Sequence, residues 1–290
     1  MKIYVPPRIP KRSRPDELKN VIEKLEAAGI KVASTSRIGD IQRLFANGKG
    51  RVDPDDPRFE RAIESVRDLQ SLSFILDQHD LNAADPAFKR LLSSVVKDSD
   101  LPQKDRVNSR GRDAVFELHV GGACIAASFD DVRYEEPDIT FGLDGVRYGM
   151  AAMRVKSEAS VSKRVRDGVR QVKKSGLHGV VVLDTALAFN PQNRIFPKPV
   201  SDREFITGYR RVLADKWKVL DPILRPLLNH RLVLGLIAHD HMVRQKLDGE
   251  WYWQRMSGEL FPPDQLDDDK ATFERILRFY NMGQPNHFYG

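Results

Sequence analysis

Three side chains of complementary chemistry lie in the middle of this sequence: Glu117 in RGRDAVFEL, Asp138 in EEPDITF and Lys156 in AAMRVKS. Two carboxylates with an amine beside them suit metal-assisted hydrolysis of a phosphodiester. The carboxylates hold Mg²⁺ (or Mn²⁺) through oxygen, while the lysine positions the attacking water and offsets phosphate charge. That chemistry requires the three to converge. Asp138 opens a strand directly after Pro137 and Lys156 closes the next, so an antiparallel pair brings them to one sheet end. A helix packed alongside adds Glu117.

The elements predicted around these residues supply that arrangement. Apolar residues at helical spacing predict helices from Pro15 to Gly29, over 40–47, from Arg58 to about Gln78, and from Asp85-Pro86 onward. Residues 1–104 therefore read as a helical unit, led by a basic, proline-punctuated arm (Lys2, Arg8, Lys11, Arg12, Arg14). The polar stretch 97–110 is the expected boundary, with 105–290 forming a second domain. There 113–127 reads as a helix weakened by Gly121-Gly122. Short strands are expected at 132–134, 138–142 and 146–155, the last two joined by the hairpin signal Asp144-Gly145. A basic helix over 159–175 follows, then a buried strand at 179–183, and a helix from Asp202 that continues towards Pro222 and is interrupted there. Strands at 232–238 and 250–256 and a helix at 270–280 complete the order. From Asp113 it is α-β-β-β-α-β-α-β, an α/β class on an all-α N-terminal unit.

On these residues the chain resembles the PD-(D/E)XK nuclease superfamily, the restriction-endonuclease-like fold. The likeness lies in Glu117 in the first core helix, Pro137-Asp138 opening the second core strand and Lys156 ending the third. It extends to Gln171, which stands where many relatives place a site-facing glutamine, and to the strand at 179–183. The resemblance implies a mixed sheet flanked by helices, and Glu117, Asp138, Lys156 and Gln171 as catalytic residues. It also implies Mg²⁺ as cofactor and DNA as substrate, with defence against foreign DNA among the roles of such proteins.

One position departs from the superfamily pattern. Two residues before the lysine, where relatives carry a metal-binding acid, this sequence has Arg154. Arginine cannot ligate a cation and keeps its charge at any accessible pH. Beside the two carboxylates it is expected to pair with one and repel Mg²⁺. Some relatives move the acid to the next helix, and Asp167, an i,i+4 neighbour of Gln171, is the local candidate to join Glu117 and Asp138 as a metal ligand. Glu158 is the other, past the lysine.

The helix after Lys156 carries the second signal. From Arg154 to Lys174 there are eight basic residues against two acids. Val161, Val165, Val169 and Val172 form its buried stripe, which leaves Lys163, Arg164, Arg166, Arg170, Lys173 and Lys174 to grip a nucleic-acid backbone by neutralising phosphates. His239-Asp240-His241 reads as a polar strand end before it reads as a metal pair. Trp251, Tyr252 and Trp253 read as core or partner packing before base stacking, and the acids of 264–269 as a helix N-terminus.

Composition bounds the rest. The chain has 290 residues, a net charge of +6, 41% hydrophobic and 30% charged residues, and a single cysteine, Cys124. One thiol excludes a disulfide framework or a cysteine-rich zinc site, and no apolar run has the length of a membrane span. Neither a Ser-His-Asp triad, a Walker loop nor a dinucleotide fingerprint is present. The first fifteen residues have no apolar stretch after their basic ones, so a secretory signal is not expected there and the cytoplasm is the expected compartment. Three functions remain open: a metal-dependent nuclease, a catalytically degenerate module that binds nucleic acid or a partner protein, and an assembly subunit that makes its contacts through the helical unit.

Overall fold

A computed structural model describes residues 14–46, 59–81, 85–96, 110–190, 195–196, 201–245 and 251–284. The basic arm up to residue 13 and the polar stretch 97–109 lie outside the described residues, as do the side chains of His241 and of Trp251–Trp253. Two compact units divide the chain, one within Pro10–Gly122 and the other within Ala123–Gly290.

The first unit is helical, as its periodicity predicts. It comprises α1 (Arg14–Ala27), α2 (Arg37–Ala46), α3 (Phe59–Gln78), α4 (Pro86–Val95) and most of α5 (Arg110–Ala126). Asp85 caps α4 as expected: its carboxylate accepts from the Ala87 N–H at 2.8 Å, with Pro86 in the first turn. The central helix is α3, buried on all sides from Asp68 to Leu76, so Asp68, the one acid of that stretch, is enclosed. Arg37 donates from Nε to Asp68 at 2.8 Å and Arg112 from Nη1 at 3.4 Å. Burial alone pushes the Asp68 carboxyl up, but Arg112, Arg37 and Arg67 together outweigh it and hold the group down at about 2.

The boundary between units falls inside α5 rather than in the polar stretch that precedes it. The packing of α5 explains this. Arg112 reaches Asp68, His119 lies 5.0 Å from the Phe74 ring, and Gly122 sits against Phe74. Glu117 therefore counts with the helices.

The second unit is a mixed seven-stranded sheet with helices against it, an α/β architecture. Its strands are β1 (Asp130–Arg133), β2 (Ile139–Leu143), β3 (Val146–Arg154), β4 (His178–Asp184), β5 (Ile195–Phe196), β6 (Val233–Gln245) and β7 (Trp251–Leu260). The spatial order is β1-β2-β3-β4-β6-β5, and β7 pairs with β6. The Asp144-Gly145 turn closes the β2–β3 hairpin with positive φ at both residues (54° and 77°), the backbone that a two-residue turn needs. β3 and β4 are parallel, and so are β4 and β6. Parallel neighbours require a crossover, and α6 (Val161–Ser175) makes the one between β3 and β4.

Val161, Val165, Val169 and Val172 of α6 pack on Ala151, Met153, Val155, Val181 and Leu183 of the sheet. Gly168 lets the helix approach closely: a Cβ there would lie 2.8 Å from Val181 and 3.3 Å from Met153. The same core takes Phe205, Tyr209, Leu213 and Trp217 of α8 (Asp202–Leu224). This helix runs through Pro222 instead of breaking there. Pro222 is exposed, so the carbonyl left without its amide partner can be hydrated. A four-residue helix, α7 (Ala186–Phe189), and the two-residue β5 were not visible in the periodicity, and α9 (Asp267–Gly283) completes the unit. Among the described residues no helix is long and apolar enough to cross a membrane.

Asp68→Asn leaves two enclosed guanidinium groups short of their counter-charge. The expected cost is about 3–5 kcal/mol, measured by urea unfolding at neutral pH. Because the folded-state carboxyl is held below its ordinary 3.8, the native residue's contribution is complete above that value and lost as pH falls toward 2. The variant should show a flatter acid limb.

Candidate functional site

The structure joins two of the residues expected to act together. Asp138 lies one residue ahead of β2, where its Oδ2 accepts from the Ala152 N–H of β3 at 2.8 Å and its Oδ1 from Gln171 Nε2 of α6 at 3.4 Å. The carboxylate thus satisfies a strand amide at the mouth of the hairpin and ties that strand to the crossover helix. Gln171 Oε1 is buried and has no hydrogen-bond partner. Lys156 follows the end of β3 and is half-buried.

Arg154 is the last residue of β3 and only 8% exposed. Strand alternation turns Met153 and Val155 into the α6 core, and so turns Arg154 to the other face. There its Nε lies 3.6 Å from Oδ2 of Asp184, its parallel-register partner at the end of β4. Asp184 Oδ1 also accepts from the Ala186 N–H at 3.1 Å, at the start of α7. The sequence predicts a partner among the motif carboxylates and does not single out Asp184. Only the alignment of β3 with β4 reveals it.

Glu117 and Asp167, the other two expected ligands, each have surroundings of their own. Glu117 sits in the helical unit one turn after Asp113. Burial first, and then the Asp113 charge, push its carboxyl up to about 7. Asp167 is engaged by its own helix, at 3.1 Å from Arg170 and 3.9 Å from Arg164. Among the described residues, no three His, Cys, Asp or Glu side chains are grouped so as to hold a metal ion. Mg²⁺ needs several oxygen ligands in a near-octahedral shell. Here β3 presents a guanidinium, Asp138 accepts from an amide on each oxygen, and Asp167 is paired with arginines. These residues do not fit a divalent cation.

In the His-Asp-His segment the side chain of His241 lies outside the described residues. His239 is buried, with Nε2 2.9 Å from the Tyr280 hydroxyl of α9. Asp240 is buried and accepts from the Tyr209 hydroxyl at 2.9 Å and from Thr185 at 3.5 Å. Burial, and then the adjacent Asp240, push the Tyr209 phenol far above its ordinary range, with Asp184 adding to the shift. This is a buried polar network beside the end of β4 and within β6, and no sequence spacing could announce Thr185 and the α8 residue Tyr209 as its members.

The basic helix is placed as predicted. Opposite the valine stripe, α6 exposes Lys163, Arg166, Arg170, Lys173 and Lys174, a row of about 15 Å at 1.5 Å per residue. Arg164 is half-buried beside Asp167, and Lys174 contacts Glu136 at 2.9 Å. Past the helix end, burial and the charges of Lys173 and Arg231 push the His230 imidazole pKa down.

No family model matches this chain, and no curated protein sequence matches it.

Glu117 gives a pH signature. Its folded-state carboxyl holds a proton more tightly than the ordinary 4.5, so its contribution to stability is present below that value and lost as pH rises through about 7. Glu117→Gln should flatten the stability profile across this range. It should also gain at most about 3 kcal/mol over the native chain at pH 8, read by denaturant titration at several pH values.

Proposed function

We propose that this protein binds nucleic acid, DNA in the first instance, as a module built on a PD-(D/E)XK-like core. The observation that carries the reading is the face of five exposed basic residues on α6, interrupted by Asp167 and set opposite a stripe of buried valines that clamps the helix to the sheet. A rigid element with cations at helical spacing suits a phosphate backbone, whose charges give affinity without reading bases. The order of hairpin, crossover helix and parallel strand, with Asp138 and Gln171 in contact, supports the kinship of the core. The poor fit of the acids to a metal ion argues for binding without hydrolysis.

Fluorescence anisotropy with a labelled duplex tests this reading. Affinity should fall steeply with salt. Charge reversal of Lys163, Arg166 and Lys173 together should weaken it and lower the log–log salt slope by about 3. A slope unchanged by those substitutions sinks the assignment of α6.

Metal-dependent cleavage, as in defence against foreign DNA, is the second reading, favoured by the Asp138–Gln171 contact and by a lysine at the end of β3. Supercoiled plasmid incubated with Mg²⁺ or Mn²⁺ decides it. We expect the plasmid to remain intact, and nicking that Asp138→Asn abolishes would reinstate the enzyme.

A further inference from the structure

We infer that the cation at this sheet edge is part of the chain: Arg154 fills by charge the role a divalent ion plays in phosphodiester chemistry, so nucleic acid is held without metal. The inference rests on the nucleic-acid reading for what is bound, and on the strand ends for how.

One carboxylate, Asp184, ends β4, and the buried Asp240 lies within the neighbouring parallel strand β6, one position beyond His239, the partner of Asp184. Both charges act on the same buried phenol, Tyr209. Acids at such a place need positive charge nearby or must take up protons. A metal ion is one solution. The other is what β3 offers: a guanidinium in register with Asp184, 3.6 Å away and nearly sealed from water. Its planar guanidinium carries the charge that offsets the acid beside it. A hydrated Mg²⁺ needs room for several waters, and little space is left beside a side chain as enclosed as Arg154. Substituting an acid for Arg154 reverses the situation, placing two carboxylates side by side at the ends of β3 and β4.

Free Mn²⁺ followed by electron paramagnetic resonance, with the full chain and no nucleic acid, reads this directly. The native protein should leave millimolar Mn²⁺ free. Arg154→Glu should bind the ion, and adding Asp184→Asn to it should abolish that binding. Should Arg154→Glu fail to fold, Arg154→Gln removes the charge without adding repulsion, and Mn²⁺ should then raise its melting temperature while leaving that of the native protein unmoved. Mn²⁺ binding by the native chain would overturn the inference, as would a folded Arg154→Glu that takes up no ion, or an Arg154→Gln whose melting temperature ignores Mn²⁺. In parallel, duplex affinity at matched ionic strength should be the same in Mg²⁺ and in EDTA. A tenfold loss in EDTA counts against the inference. Absence of duplex affinity at low salt would instead remove the nucleic-acid reading, and the Mn²⁺ measurements would still judge Arg154.

Discussion

The contact between α6 and the sheet governs what this molecule can present to a partner. Burying Val161, Val165, Val169 and Val172 on Ala151, Met153, Val155, Val181 and Leu183 removes one whole face of the helix from water. At about 1.5–3 kcal/mol for each fully buried apolar side chain, such a face outweighs the mutual repulsion of exposed cations, which water and salt screen. Gly168 sets the closeness of the approach. With that face committed, the rotation of the helix is settled, and its Lys and Arg side chains must lie on the outside. The Asp138–Gln171 contact sits at the flank of the same interface, so the hairpin mouth and the basic row are held by one packing event.

Charge is handled differently at the surface and inside. On α6 most of the cations are solvated, and half of them (Arg164, Arg170 and Lys174) pair with surface carboxylates. In the interiors every described ion pair carries a structural consequence. Asp68 is held as a carboxylate among arginines in the helical unit, and Asp184 meets Arg154 where two parallel strands end. Removing one member of such a pair exposes the other to an unsolvated environment. The acids that resemble a catalytic set are distributed between these two regimes: Glu117 is half-buried with a raised pKa, Asp138 caps a strand amide, and Asp167 is paired on the helix surface.

Much of the fold was legible in the sequence because its signals are local. The Asp85-Pro86 start, the Asp144-Gly145 turn, the stop at Gly176 and the valine spacing of α6 each depend on a few neighbouring residues. They appear in the structure where they were expected. The element order from the hairpin to β6 follows from them. The break expected at Pro222 did not occur, because a proline on the exposed face of a helix loses a hydrogen bond that water can replace. The unit boundary moved into α5 because the contacts of Arg112, His119 and Gly122 with α3 lie far away in sequence.

By itself, then, the chain determined which segments become helices and strands, which face of α6 is buried and which is charged, and that an arginine stands where a metal-binding acid was expected. Those properties follow from spacing and side-chain chemistry. Only tertiary structure decided what that arginine does. The register that sets Arg154 opposite Asp184, and the convergence of Tyr209, Thr185 and Asp240, join residues of separate elements. Such pairings arise from how strands align and helices pack, and a linear order of residues does not specify them.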